Sequence, residues 1–340
     1  MMRIAKSREA LVLVLLIAML LAVATVNKAA IYPFTLINIV NSALFLVLLA
    51  IGQMFVVLTR GIDVSVGAIA GLSAVIFGFA LNGGVPLPVA MLASMLTGLV
   101  AGAMNGAGVV FGGIPPIIMT LSTLGIYRGL MRVLTGGSWI EEVPQSIKAL
   151  SVTRVISVPV LVWVAAALVI VTAVLMARIR ATRNFYAVGD NREGAFLMGL
   201  NVRVTELSAY ALSGLFAGMA AIVFVAQIGF VPLQTGQGQE LKAIAAVVLG
   251  GVSLMGGTGS VWSAVIGAIF LTAVDSMMIF LKVPGSWNNA VAGAVLLTVV
   301  VTDYLIRRAV RNRHAARRAA EMRLAEGDAR QTDPAREVMP

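Results

Sequence analysis

Apolar residues run along the chain in ten blocks, at about 11–27, 40–59, 65–82, 87–111, 116–134, 156–177, 205–229, 240–255, 260–281 and 288–306, with polar breaks between them. The blocks are continuous rather than alternating. Each is about 16 to 25 residues long, close to what a helix needs to cross a hydrocarbon core ~30 Å thick. Outer-membrane barrel strands would instead be about ten residues long, with one polar face. The pattern predicts an all-α polytopic membrane protein of about ten transmembrane helices. Blocks three and eight are short and glycine-rich, so the even parity is firmer than the number. An even number places both termini on one side of the membrane.

Composition agrees, with 59% of 340 residues hydrophobic and 12% charged, about half the charged share of a soluble domain. The net charge of +10 gathers in the N-terminal "RIAKSR", in a central polar island and in the tail "RRAVRNRHAARR". Short cytoplasmic loops collect Lys and Arg. With ten spans that side holds Arg3, Lys6, Arg8, Arg60, Arg178, Arg180, Arg183, Arg192, Arg203 and the C-terminal run, whereas the other holds Lys28, Lys148, Arg154, Lys282, Glu141 and Glu142. The asymmetry predicts N-in, C-in, and makes the charge an orientation signal rather than a nucleic-acid footprint. The first block follows basic residues and ends in "AVA", the marks of a secretory signal. With nine spans behind it, it is read as an uncleaved anchor. The expected organisation is a cytoplasmic N-terminus (1–10), a transmembrane domain (11–306) with a cytoplasmic segment at 178–204, and a basic cytoplasmic tail (307–340) ending in disorder.

Little in the chain is built for covalent chemistry. Cysteine is absent, His314 stands alone in the tail, and no metal site is expected. The nearest run to a phosphate loop, "GGTGS" at 256–260, lacks the lysine that reaches phosphates. No catalytic residue and no cofactor are expected.

Glycine serves helix contacts instead. Gly98, Gly102 and Gly106 recur every four residues, as do Gly214 and Gly218, and in lipid such spacing lets backbones approach closely. "VVLTRGIDVSVGAIAGLSAVI" from Val56 and "VVLGGVSLMGGTGSVWSAVIGAI" from Val247 echo each other, suggesting duplicated halves. Ionisable groups inside the spans are few: Arg128, Arg132 and Asp275, with Asp63, Glu240 and Lys242 near span ends. A charge in hydrocarbon is costly and should face protein, water or the interface. Arg128 and Arg132 can snorkel outward. Asp275 should line a cavity or pair with an arginine, and as a lone buried acid it keeps an ion-coupled carrier in view. Gln53, Asn105 and Asp275 are the candidate lining of a translocation path.

The island "TRNFYAVGDNREGAFLMGLNVRVTE" (182–206) is the polar exception. Asp190 or Asn191 can cap a helix, Glu193 follows Asp190 at capping-box spacing, and Gly199 can stop it. A helix of two turns is unstable alone in water. Phe196, Leu197 and Leu200 should therefore meet a support, either the membrane surface or a groove on a partner, while Arg192 and Glu193 face outward.

"RGIDVSVGAIAGL" (60–72), "NFYAVGDNREGAFLMGLNV" (184–202) and "GQGQELKAIAAVVLGGVSLMGGTGS" (236–260) resemble the permease subunits of ribose-type ABC sugar importers, over about residues 40 to 306. "TGGSWIEEVP" (135–144), "AQIGFVPLQTGQGQELKAIAAVVLGG" (226–251) and "FLTAVDSMMIFLKVPGSWNNAVAGAVLL" (270–297) are most similar to the autoinducer-2 branch, with rhamnose permeases close by. The resemblance implies a permease in the bacterial inner membrane, paired with a second permease, equal or related. It also implies two cytoplasmic ATP-binding subunits and a periplasmic solute-binding protein. It makes 184–200 the coupling segment, with Gly189, Asp190, Asn191, Glu193, Gly194, Ala195 and Gly199 at the ATPase, and sets 135–154 and 229–240 toward the binding protein. The implied cargo is autoinducer-2 or otherwise rhamnose, ribose or another monosaccharide. An ion-coupled carrier and a solute sensor without flux are the readings from other classes.

Overall fold

Proline opens several of the spans and glycine closes others. In the computed structural model, which describes residues 2–141, 143–287 and isolated positions from 290 to 301, Pro33, Pro88 and Pro116 sit at the first or second positions of their helices. The missing N–H costs nothing there, because those groups have no partner within the helix. Gly136, Gly229 and Gly251 adopt left-handed conformations as C-caps, where a Cβ would be strained.

Twelve α-helices are described: α1 (Met2–Val26), α2 (Pro33–Leu58), α3 (Val66–Asn82), α4 (Leu87–Val110), α5 (Pro116–Thr135), α6 (Gln145–Val152), α7 (Val160–Arg178), α8 (Arg180–Asp190), α9 (Arg192–Leu197), α10 (Val202–Ile228), α11 (Gln239–Gly250) and α12 (Val261–Phe280). They lie in one unit, Met1–Gly293, while the second unit, Ala294–Pro340, contributes only short helical pieces among the described residues. Among the described residues, seven helices are long and apolar enough to cross a membrane. Nine of the ten predicted blocks are helical, and the tenth (288–306) and the basic tail lie largely outside the described residues.

Several boundaries differ from the sequence reading: α1 and α2 begin earlier than the expected 11 and 40, at Met2 and Pro33. The sixth block was expected from 156, but the chain first forms a small hairpin, Arg154–Val155 against Val158–Pro159, and α7 starts only after Pro159. The eighth was expected to reach 255, but α11 ends at Gly250. Beyond it Gly251, Gly256, Gly257 and Gly259 all have positive φ, which no helix continues. At twelve residues α11 spans only about 18 Å. Both echoing segments fold as helix, glycine-containing loop and helix, and they touch where the Gly257 N–H donates to the Leu58 carbonyl at 3.0 Å.

α2 is the central element, buried on every side from Ala43 to Leu58, as an all-round apolar helix should be. α4 and α10 form a long, close seam. A Cβ on Gly98 would overlap the Gly214 carbonyl, and one on Gly102 the Tyr210 carbonyl, while Ser94 Oγ donates to the Gly218 carbonyl at 3.0 Å. The glycine spacing read from sequence is this seam. α1 packs through Val23 against Ala273 and Met277 of α12. At its other end Glu9 accepts from the hydroxyls of Ser260 and Ser263 at the start of α12, where a carboxylate is favoured by the helix dipole.

Candidate functional site

The island is two helices rather than one. Asn191 is extended, with φ −150° and ψ 103°, so α8 stops at Asp190 and α9 starts afresh. Of the two candidate caps it is Asn191 that serves, its Oδ1 accepting from the Gly194 N–H at 2.9 Å. That places Gly194 at the third helical position, so no capping box forms with Glu193. Gly199, at φ 79°, turns the chain, and Asn201 caps α10 by accepting from the Val204 N–H. Arg192 grips Glu206 with two hydrogen bonds of 2.7 and 3.2 Å. Those bonds hold the guanidinium above its already high pKa.

α8 fastens the island to the bundle. Phe185 lies edge-on to Phe55 of α2 at 5.3 Å, and Tyr186 donates to the Gly259 carbonyl. Burial pushes the Tyr186 phenol pKa up. A Cβ on Gly189 would overlap the Leu58 carbonyl. Val188, Ala195 and Val202 form a small core that Leu200 joins. Gly189 and Ala195 are thus covered by this chain, and Leu200 turns inward rather than toward an outside support. Phe196, Leu197 and Met198 do the opposite. They are 71%, 84% and 72% exposed, an apolar tip flanked by Arg192, Glu193 and Arg203.

Above the island lies a buried polar cluster. Asp63, fully buried between α2 and α3, accepts from the Ser65 hydroxyl at 2.6 Å, the Ser65 N–H at 2.9 Å and the Ser213 hydroxyl of α10 at 3.2 Å. Gln53 of α2, with its amide oriented as its neighbours require, pairs with both backbone groups of Asp63 at 3.1 Å. Asn105 of α4 donates to Ser65 Oγ at 2.7 Å and accepts from the Tyr127 hydroxyl of α5. Five helices are laced together, and each donor left unpaired there would cost about 1–3 kcal/mol.

Two of the three candidate path residues, Gln53 and Asn105, therefore meet through Asp63 and Ser65. Asp275 is not with them. Its partner is Lys242 of α11 at 2.7 Å, where an arginine was expected, with the two side chains 11% and 28% exposed. Arg128 is likewise tied inward, donating to the Thr235 carbonyl. Sequence reasoning placed Asp63 only near a span end and did not single out Ser65 or Tyr127. The signal available was "GIDVS", two polar groups in an apolar run.

At the opposite end, the segments after α5 and α10 join. Ile140 and Val231 exchange backbone hydrogen bonds of 3.1 and 2.9 Å, and Trp139 stacks on Phe230 at 5.8 Å.

The described helices thus form a many-span bundle with a polar island docked at one end and two paired segments at the other. The chain belongs to the family described as branched-chain amino acid transport system / permease component, whose pattern matches residues 35–300. It is 45% identical to the autoinducer 2 import system permease protein LsrC of Salmonella typhi, across 89% of this chain and 88% of that one. It is 48% identical to the LsrC of Photorhabdus luminescens (81% and 83%) and 49% identical to that of Escherichia coli K12 (80% of each). No solved structure matches. It is a multi-pass membrane protein and a transport component.

Proposed function

We propose that this chain is the membrane-spanning subunit of an ATP-driven importer of the bacterial inner membrane, carrying autoinducer-2 inward. The observation that carries this reading is the 45–49% identity to autoinducer 2 import permeases across at least four fifths of the chain. ATP is bound by two partner subunits, because this chain offers no phosphate loop of its own. The apolar tip Phe196, Leu197 and Met198, exposed on a short capped helix, is suited to a groove on such a partner. In this reading Gly189 and Ala195 set the segment's shape, and Asp190, Asn191, Glu193, Gly194 and Gly199 set its ends and turns. A second permease subunit completes the pathway, and the platform of Trp139, Phe230 and their neighbours receives a periplasmic binding protein.

Gln53 and Asn105, with Asp63, are held in a closed network, so they support the pathway's walls rather than supply free groups to a solute. An ion-coupled carrier loses the motive that Asp275 gave it, because Asp275 is already matched by Lys242. The deciding experiment is co-purification with the ATPase and binding protein, identification of the bound solute by mass spectrometry, and uptake in reconstituted vesicles. Uptake that follows ATP and a bound autoinducer-2 support the reading. A bound rhamnose or ribose would change the cargo, and uptake driven by an ion gradient without ATP would end the importer assignment.

A further inference from the structure

The last carbonyls of a helix have no partner within it. Those of Gly189 and Asp190, which end α8, are met from 129 and 130 residues away: Arg60 Nε donates to the first and Nη2 to the second, each at 2.6 Å. A cation there also faces the negative end of the α8 dipole. Arg60 does this from a left-handed backbone, φ 65°, a conformation that non-glycine residues seldom adopt. Glycine would be the relaxed choice at this position, but it has no fork of donors to offer. The guanidinium thus sits on the joint between α8 and α9.

Three residues further on, Asp63 is locked into α2 by Gln53, into α10 by Ser213, and through Ser65 into α4 and α5. The six residues from Arg60 to Ser65 therefore have one end on the island joint and the other in a buried network of five helices. Around the strap there is no slack. A Cβ on Gly61 would lie 2.5 Å from the Tyr210 hydroxyl of α10, and one on Gly256 would lie 2.6 Å from Arg60 Cγ.

We propose that Arg60 is a positioning residue through which movement of the α8–α9 segment is passed into the transmembrane core, with Asp63 as the fixed anchor. The proposal rests on the importer reading. Without the two-point grip, α9 can still engage a partner and the contacts of Phe185 with Phe55 and of Arg192 with Glu206 remain, but its displacement no longer reaches Asp63 through the strap from Arg60 to Ser65. The grip needs a planar fork, so charge alone does not replace it.

The test is the ratio of autoinducer-2 taken up to ATP hydrolysed, measured on the complete complex in proteoliposomes with its binding protein. For Arg60→Gln the ratio is expected to fall at least tenfold while the ATPase still co-purifies and still hydrolyses ATP. Arg60→Lys, which keeps the charge and most of the stem, is expected to recover less than a third of the loss, and it carries the test if the glutamine variant does not assemble. A ratio within twofold of the unaltered complex in the variant that assembles overturns the proposal, as does full recovery by lysine. If the unaltered complex itself shows no ATP-dependent uptake, the importer reading falls and the role of Arg60 falls with it.

Discussion

Gly98 of α4 and Gly214 of α10 lie backbone to backbone, so that a methyl group on either would overlap the other's carbonyl oxygen. No side chain stands at the crossing to give way. The seam runs on through Gly102 and Gly218, and Ser94 is bonded across it.

Gly214→Leu must therefore separate two helices that other contacts hold together. Overpacking of this kind costs about 1–3 kcal/mol or more. The purified protein is expected to melt at lower temperature in detergent by tryptophan fluorescence, whereas Gly125→Ala, whose Cβ meets open space, should melt like the parent. Equal melting of the two would show that the seam tolerates opening.

Lys242 and Asp275 are joined at 2.7 Å with little exposure. Removing one partner strands the other charge, a loss set at about 1–3 kcal/mol by its place between exposed and fully buried pairs. Lys242→Met and Asp275→Leu should each lower the melting point, and the double variant should recover most of it. Additive losses in the double variant would mean the pair does not interact.

Asn105→Leu removes the donor to Ser65 and the acceptor for Tyr127. Tyr127 keeps its bond to the Ala101 carbonyl at 2.9 Å and Ser65 its bond to Asp63 at 2.6 Å, so a cost of about 1 kcal/mol is expected from the hydrogen bonds lost. Faster amide exchange is expected at the start of α3, which Ser65 precedes with its hydroxyl bonded to Asp63. Unchanged exchange there would remove Asn105 from the network.

Phe196 and Leu197 touch little of this chain, so Phe196→Ala with Leu197→Ser should leave its melting point unaltered. If they seat in an ATPase groove, a loss of about 2 kcal/mol, or roughly thirtyfold in affinity, is expected on binding. Retention of the ATPase through purification at parental yield would refute that docking.

Trp139 and Phe230 tie the two outer segments together. Trp139→Ala is expected to weaken stimulation of ATP hydrolysis by the binding protein about tenfold in apparent affinity, with basal hydrolysis unchanged. A parental concentration dependence would take the binding protein elsewhere.

Much of this protein was legible as pattern. The span positions, the glycine seam, the Asn191 cap as one of two candidates and the exposed apolar residues of α9 all follow from spacing along one helix. What escaped was pairing. Asp275 was expected to line a cavity or to pair with an arginine, whereas Lys242, 33 positions earlier, is the group that α11 delivers. The island was read as one short helix capped at Asp190 or Asn191, and nothing in the residues before that cap marked Arg180–Asp190 as a second helix until α8 is seen held by Phe55 and Gly259.

Length of apolar run, sign of loop charge and residue type at a helix end are local quantities, and they were enough for an all-α membrane protein with its island on the basic side. Which polar atoms meet is a different matter. Asp63 and Ser213 are 150 positions apart, and Arg60 reaches Asp190 across 130. Such meetings depend on how closely α4 and α10 approach and where α2 ends, and burial gives each of them its energetic weight. The candidate path residues Gln53 and Asn105 were therefore visible as polar exceptions, but their joining through Asp63, and the separation of Asp275 from them, belonged to the packed bundle.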